Sequence, residues 1–590
     1  LFLRLFAGAV LLAAMTLAQA AEGPLARFVL PADTPGELNT LLQRVLDTTL
    51  RLNGGERTDA EDDERLLRRL RDNALEALAT EGYFSATLQV QPQPDGRERF
   101  LLPVQPGPRT TVASVELIFT GALEADPERG AALRAAWELP VGEPFRDARW
   151  SAAKAALLRS VGARDYAAAA IVASAAKIDA PSAQARLRVE IDSGPAFTFG
   201  ALAVQGLRRF EPSLIERFNP PRPGAPYDAV QLLEFQRRLQ ETSFFTAVRV
   251  EIDADPAAPR EVPIRVEVTE AQTKRLNFGL GYSTNYGPQV EVLYRQNLVF
   301  DRPYTLRIGA GVDNLRYGAF ADLVLPPRAD GAIDSAGVLA ERTDIENVNT
   351  ERGAVGLARE RHREFDGGSV DTRLALGFQS ELRWSADQTK SEGERNNVLS
   401  TTYTWTRRTL DSLLDPRRGD ALTLTGAVGL RLQPAQSATD NVFVYTYGRY
   451  LRYFPLSPRD QLLLRAEAGH VFTEDTNLVP NEFLFRTGGA GSVRGYSYLS
   501  LGQQSDGAVL GSKSLLVGSI EYTRWLTEEW GAAVFFDAGN AANNLADSGL
   551  VRGYGLGARW RTVAGPLALD VAYGEQERQF RVYFSIAITF

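Results

Sequence analysis

The chain has 590 residues, 65 lysines and arginines against 73 aspartates and glutamates, and a net charge of −8, which calls for several domains and argues against a nucleic-acid binder. Cysteine is absent and histidine occurs only at His362 and His470, which removes disulfides, thiol nucleophiles and nearly every metal-site spacing. A mean hydropathy of −0.19 excludes a bundle of membrane-spanning helices, but not a membrane barrel, where only alternate strand residues face lipid.

Arg4 precedes an apolar run from Leu5 to Leu17, then Ala18-Gln19-Ala20, the small-x-small pattern of a cleavage site. The run is too short to span comfortably and no basic stop-transfer follows, so residues 1–20 are expected to be a signal peptide.

Residues 23 to 270 read as three copies of one unit, strand-helix-helix-strand-strand, each roughly 75–90 residues long. The expected domains are 23–107, 108–194 and 195–271. In the first, a helix from Asp62 to Thr80 leads through Gly82-Tyr83-Phe84 into strands at Ala86–Val90 and Phe100–Val104. The second has strands at Val112–Thr120, Ala168–Ala175 and Ala185–Ile191, with a helix from Arg146 to Ser160. In the third, Asp228 is the expected N-cap of a helix whose Leu232, Phe235 and Leu239 form one apolar stripe. The alternating strands Ala247–Ile252 and Ile264–Val268 follow. This α+β unit resembles the POTRA domain, which implies a periplasmic module that handles unfolded clients, with an open sheet edge able to receive an extended peptide.

From Thr273 the texture changes to short alternating segments between polar, glycine-rich stretches. Leu276, Phe278, Leu280 and Tyr282 are large and apolar, while Asn277, Gly279 and Gly281 between them are not. The final segment places Phe580, Val582, Phe584, Ile586, Ile588 and Phe590 on one face. Segments of about 9–11 residues suit tilted membrane strands. Residues 273–590 hold on the order of 16 such strands at about 20 residues each, closed because open edges in lipid would leave backbone groups unpaired. The expected fold is therefore α+β repeats followed by an antiparallel transmembrane β-barrel. The aromatic end of the last strand, with Phe584, Ile586, Ile588 and Phe590, resembles the signal read by barrel-assembly machinery.

Residues 485 to 496 read Phe-Arg-Thr-Gly-Gly-Ala-Gly-Ser-Val-Arg-Gly-Tyr. This is neither a P-loop nor a nucleophile elbow, since GxxxxGK[ST] and GxSxG are both missing. Gly488-Gly489 with Ser492-Val493-Arg494-Gly495-Tyr496 resembles the sixth extracellular loop of the POTRA-barrel superfamily that includes BamA, TamA and the two-partner secretion transporters. Phe535-Phe536-Asp537-Ala538-Gly539 resembles that family's F-x-D-x-G strand. By alternation Phe535, Asp537 and Gly539 share the lumenal face, where an Arg494–Asp537 pair would lock the loop. Asp415-Pro416-Arg417-Arg418-Gly419 resembles a family turn motif, and is equally readable as an ordinary turn. Gly565 to Asp570 resembles the penultimate strand.

Three repeats are fewer than the five of BamA and more than the two of a two-partner exporter, so the resemblance is closest to the TamA type. It implies assembly or export of client outer-membrane proteins such as autotransporters, contact with outer-membrane lipid, and an inner-membrane-anchored partner of the TamB type. An exporter pore and a BamA-like general insertase remain the alternatives. No cofactor, metal, nucleic acid or enzymatic role is expected: no acid/base constellation assembles, and His362 and His470 read as structural.

Overall fold

A computed structural model describes residues 26–52, 60–93, 99–255, 257, 260–328, 330–432, 441–562 and 565–589. The expected signal segment and Phe590 lie outside the described residues. The described chain folds as two compact units. One comprises the residues up to Ala203 with Pro221–Glu234 and Val250–Arg265, the other Val204–Pro220, Phe235–Arg249 and the chain from Val266 onward.

Helix formation before the barrel follows from leucine spacing. Leu38, Leu42 and Leu46 bury one face of the helix Gly36–Leu52, and Leu66, Leu67, Leu70, Ala74 and Leu78 one face of Ala60–Thr80. The accompanying sheet pairs Ala26–Val29 parallel with Phe100–Gln105, and Thr87–Leu88 antiparallel with the same strand. In the next sheet Thr111–Thr120 runs parallel to Gln184–Asp192, whose other edge takes Ala170–Asp179 antiparallel. A parallel first and last strand needs a helical crossover, and two helices supply it. The Asp126 carboxylate caps Pro127–Ala135 by accepting from the Arg129 N–H, while Trp150, Ala153, Leu157 and Val161 bury the stripe of Asp147–Gly162. The third sheet has the order Thr198–Gln205, Glu261–Glu270, Phe245–Ile252. Asp228 Oδ1 accepts from the Val230 N–H at 2.9 Å ahead of the helix Ala229–Gln240, and Leu232, Phe235 and Leu239 are buried. In each of the three sheets the last strand in sequence takes the central place.

From Lys274 the chain forms a closed barrel of sixteen strands, each antiparallel to its sequence neighbour. The first strand runs Lys274–Ser283 and the last Gln579–Thr589. Among the described residues closure pairs them over Gly279–Ser283 and Ser585–Thr589, five residue pairs, against ten between the first strand and the second. Large apolar residues of the alternating phase face outward: Leu276, Phe278, Leu280 and Tyr282 are exposed, as are Leu424, Val428 and Leu430, and Phe580 and Val582. An apolar belt of that extent on a water-facing surface would be an aggregation site, and around a closed barrel it is the lipid contact. Among the described residues no helix is long and apolar enough to cross a membrane; the strands cross instead.

The wall is uneven in height. Val348–Phe365 and Gly368–Ser385 have 18 residues each, whereas Thr305–Val312 has 8. At about 3.4 Å per residue the long strands outrun a hydrocarbon core of about 30 Å even when tilted. The excess, towards the rim where the first strand begins, is charged and cross-paired: Arg359 Nε to Asp334 at 2.7 Å, Arg373 Nε to Glu360 at 3.0 Å, and Arg361 Nη2 to Asp330 at 2.8 Å. His362 belongs to this network through Asp371, 2.6 Å from Nδ1, and His470 Nδ1 lies 2.8 Å from Ser514 Oγ.

Candidate functional site

The longest connection of the barrel joins Asp460–Phe472 to Ser514–Trp525, and it turns inward. Its apolar residues explain why. Phe483, Phe485, Val493 and Tyr496 are buried in one cluster with Phe443, Val471, Val517 and Val551 of the wall, and Phe485 stacks on Tyr445 at 5.2 Å. Such side chains have no place in water, and the lumen offers them partners. The descending arm is fixed by the Asn481 N–H, which donates to Glu381 at 2.9 Å, and by Asn396 Nδ2, which donates to the Asn477 carbonyl at 2.9 Å.

At the inner end of the loop Gly488, Gly489 and Gly495 have φ of +109°, +96° and +100°, which the Cβ of other residues disfavours. A Cβ on Gly488 would fall 2.4 Å from the Ser497 carbonyl oxygen. The Gly488 N–H donates to Ser492 Oγ at 2.9 Å, which closes the turn that presents Val493 and Arg494.

Arg494 meets three carboxylates. Its Nε donates to Asp537 Oδ2 at 2.7 Å and Nη2 to Asp537 Oδ1 at 3.0 Å, a two-pronged pair reinforced by the Arg494 backbone N–H at 3.1 Å. Nη1 donates to Glu521 Oε2 at 2.8 Å and to Asp570 Oδ2 at 3.0 Å. The guanidinium carbon lies 3.4 Å from the centroid of the Phe535 ring, a cation–π contact on the same strand as Asp537. Asp537 is fully buried and the Arg494 side chain is 6% exposed. Charges so removed from water require balance, and two further arginines provide it. Arg559 bridges Glu521 (Nη2 to Oε1, 2.7 Å) and Asp570, while Arg465 donates to the carbonyls of Gly491 and Ser492. Arg465 also stands 3.9 Å from both Asp537 and Glu467, so three arginines face four acids.

The loop also lies against the wall backbone. A Cβ on Gly553 would sit 1.8 Å from the Arg494 carbonyl oxygen, and one on Gly574 2.5 Å from that of Gly495. Gly539 plays the same part beside Val493, whose Cγ2 would stand 3.0 Å from an added Cβ. Beyond Arg494, the Tyr583 hydroxyl accepts from the Gly495 N–H at 2.8 Å and donates to the Tyr496 carbonyl at 2.7 Å. The Tyr496 hydroxyl in turn donates to the Arg552 carbonyl at 3.1 Å.

Tyr583 belongs to the last strand. On the other side of the seam, Asn285 Oδ1 accepts from the Ala490 N–H at 3.4 Å and Tyr286 meets Tyr498 edge-on at 5.6 Å. The loop therefore touches both sides of the first/last junction.

The structure brings Arg494 together with Asp537 and sets Phe535 and Gly539 beside them. Reading the motifs alone misses Glu521, Arg559, Arg465 and Tyr583, and gives Asp570 only as the end of a strand motif, without its partner. Each lies on the lumenal phase of its own strand, which alternation could have indicated, though not which of them converge. Of the terminal residues, Phe584 and Ile586 follow the outward phase of Phe580 and Val582, and the Ile588 backbone pairs with Leu280.

A closed sixteen-strand barrel behind three α/β modules, its lumen holding an inward loop pinned by buried charges, defines a class of bacterial outer-membrane protein. The Omp85 superfamily domain matches residues 262–590, and the chain belongs to that superfamily. It is 24% identical over 397 residues to the outer membrane protein assembly factor BamA of Nitratidesulfovibrio vulgaris, covering 63% of this chain and 47% of that one. The BamA of Neisseria meningitidis serogroup B is 24% identical over 340 residues, covering 53% of this chain and 41% of that one. The chain thus spans less than half the length of these relatives. The crystal structure of BamA from Haemophilus ducreyi lacking POTRA domains 1–3 shares the fold, with a TM-score of 0.66 at 16% identity, over 81% of this chain and all of that one. The barrel is one of the outer membrane, and the N-terminal POTRA region lies in the periplasm.

Proposed function

We propose that the chain assembles or translocates other outer-membrane proteins, receiving clients on three periplasmic POTRA domains (23–107, 108–194 and 195–271) and templating them at the seam between its first and last strands. One observation carries the reading. Among the described residues the barrel closes there over five residue pairs, with Gly279 and Gly281 in the first strand, while the inward loop occupies the lumen. A short, glycine-weakened junction is the part of a closed sheet that opens at least cost, and its exposed edge can pair with a client strand. The Arg494–Asp537 pair serves as a lock that keeps the loop inside. Two curated relatives named as assembly factors support the general role.

Within that role the count of three modules favours a TamA-type factor, with autotransporters among its clients and an inner-membrane-anchored partner of the TamB type. The test uses the absence of native cysteine. Tyr282→Cys and Ile586→Cys, opposite each other across the seam, are cross-linked in the full chain. Client assembly should stop when the seam is tethered and return on reduction. Assembly at the parental rate with the seam covalently shut would instead favour passage through the lumen.

A further inference from the structure

The segment Asp415–Gly419 takes no part in the loop or the seam. It closes the turn between the strands Glu394–Arg408 and Gly419–Arg431, at the periplasmic rim. The turn is stiff. Asp411 Oδ1 accepts from the N–H groups of Arg417 at 2.9 Å and Arg418 at 3.1 Å, and the Asp411 N–H donates to the Arg418 carbonyl at 3.1 Å. Gly419 has φ of +110°, and a Cβ there would lie 2.0 Å from the Thr409 carbonyl oxygen.

A turn of this kind ordinarily hangs below its own two strands. This one reaches elsewhere. The Pro416 carbonyl accepts from Gln461 Nε2 at 2.7 Å, and Asp415 Oδ2 accepts from Arg561 Nε at 2.6 Å. Arg561 lies on Val551–Thr562, five strands round the barrel from Gly419–Arg431. Along the wall that is more than about 20 Å, at roughly 4.8 Å per strand. The turn takes the chord instead of the arc. Arg561 shares its strand face with Arg559 of the lumenal cluster, so it points into the barrel mouth. There its guanidinium carbon lies 3.4 Å from the ring centroid of Trp525, which is buried, and Nη1 donates to the Glu528 carbonyl at 3.2 Å. The tip, Leu413 and Leu414, is left 77% and 72% exposed.

We propose that the turn Leu410–Arg418 is a lid over part of the periplasmic mouth of the barrel, latched by Asp415 on Arg561. The lumen then has two independent closures, the inward loop from outside and this lid from the periplasm. Because Gly419 and Thr409 pin the base while the far end is held by one ion pair and the Gln461–Pro416 hydrogen bond, the lid swings as one stiff piece when these break. The lid acts on the lumen and is separate from the seam.

Two measurements on the full-length, membrane-reconstituted chain test it. Thr523 is buried, and its strand partner is Gln461. A single Thr523→Cys should react slowly with a charged thiol reagent, and Asp415→Asn should speed the reaction roughly tenfold, the effect of losing one charge-assisted hydrogen bond. The charge-exchanged pair Asp415→Arg with Arg561→Asp should restore the slow rate. Spin labels at Leu413→Cys and Thr527→Cys should give a narrow distance distribution in the parent and a broad one in Asp415→Asn. Labelling and distances unchanged by Asp415→Asn, or a fast rate retained in the exchanged pair, would overturn the lid.

Discussion

Arg494 shows why the identity of one side chain matters at the lumenal site. It makes four side-chain hydrogen bonds to three acids. Truncating one partner of such a buried network leaves the others charged and unpaired, at a cost of about 3–5 kcal/mol. Arg494→Ala should therefore lower the temperature at which the barrel loses its heat-modifiable gel mobility, and should free the loop for proteolysis. Arg494→Lys should fall between, because a point-like ammonium cannot fork onto Asp537 while reaching Glu521 and Asp570. Parental melting and protease resistance in both variants would show that the apolar residues alone hold the loop.

Among the elements, the third α/β module carries a capped junction of similar design. Glu270 ends the strand Glu261–Glu270, and its carboxylate accepts from the N–H groups of Arg208, Arg209 and Phe210 and from Arg209 Nε at 2.8 Å. Burial works to raise its pKa, but the Arg209 pair and the three backbone donors outweigh it and hold the group at about 2. A carboxyl whose folded pKa lies below its unfolded value near 4.5 contributes its full stability above pH 4.5, and loses it as pH falls towards about 2. Glu270→Gln should reduce the stability of this module by ~1–3 kcal/mol at neutral pH, with the difference from the parent vanishing in acid. Thermal melts from pH 7 to pH 2 check it; a gap that stays constant with pH would mean that shape, not charge, matters at this position.

For the molecule as a whole, the loop and the seam are mechanically joined, because loop residues bond to Tyr583 on one side and meet Asn285 and Tyr286 on the other. Tyr583→Phe removes both hydroxyl bonds while keeping the ring. Backbone amides of the first strand should then exchange with solvent several-fold faster, while those of Val348–Phe365, away from the seam, keep their parental rates. Uniform acceleration around the barrel would indicate general destabilisation and not release of the junction.

Alternation along each strand was enough to place Leu276, Phe278, Leu280 and Tyr282 on lipid and Asp537 in the lumen, because strand side chains point to opposite faces with a period of two. The spacing of Leu232, Phe235 and Leu239 likewise located a helix, and the glycines at 488, 489 and 495 announced a sharply turned loop. These are local properties, written in neighbouring residues. That Arg494 also meets Glu521 and Asp570 was decided only by tertiary structure. Glu521, Asp537 and Asp570 come from different strands whose convergence depends on barrel radius and strand stagger, and no short-range pattern encodes either. The same holds for Asp415: its sequence reads only as a turn, and only the closed ring carries Arg561, 146 residues away, within reach of it.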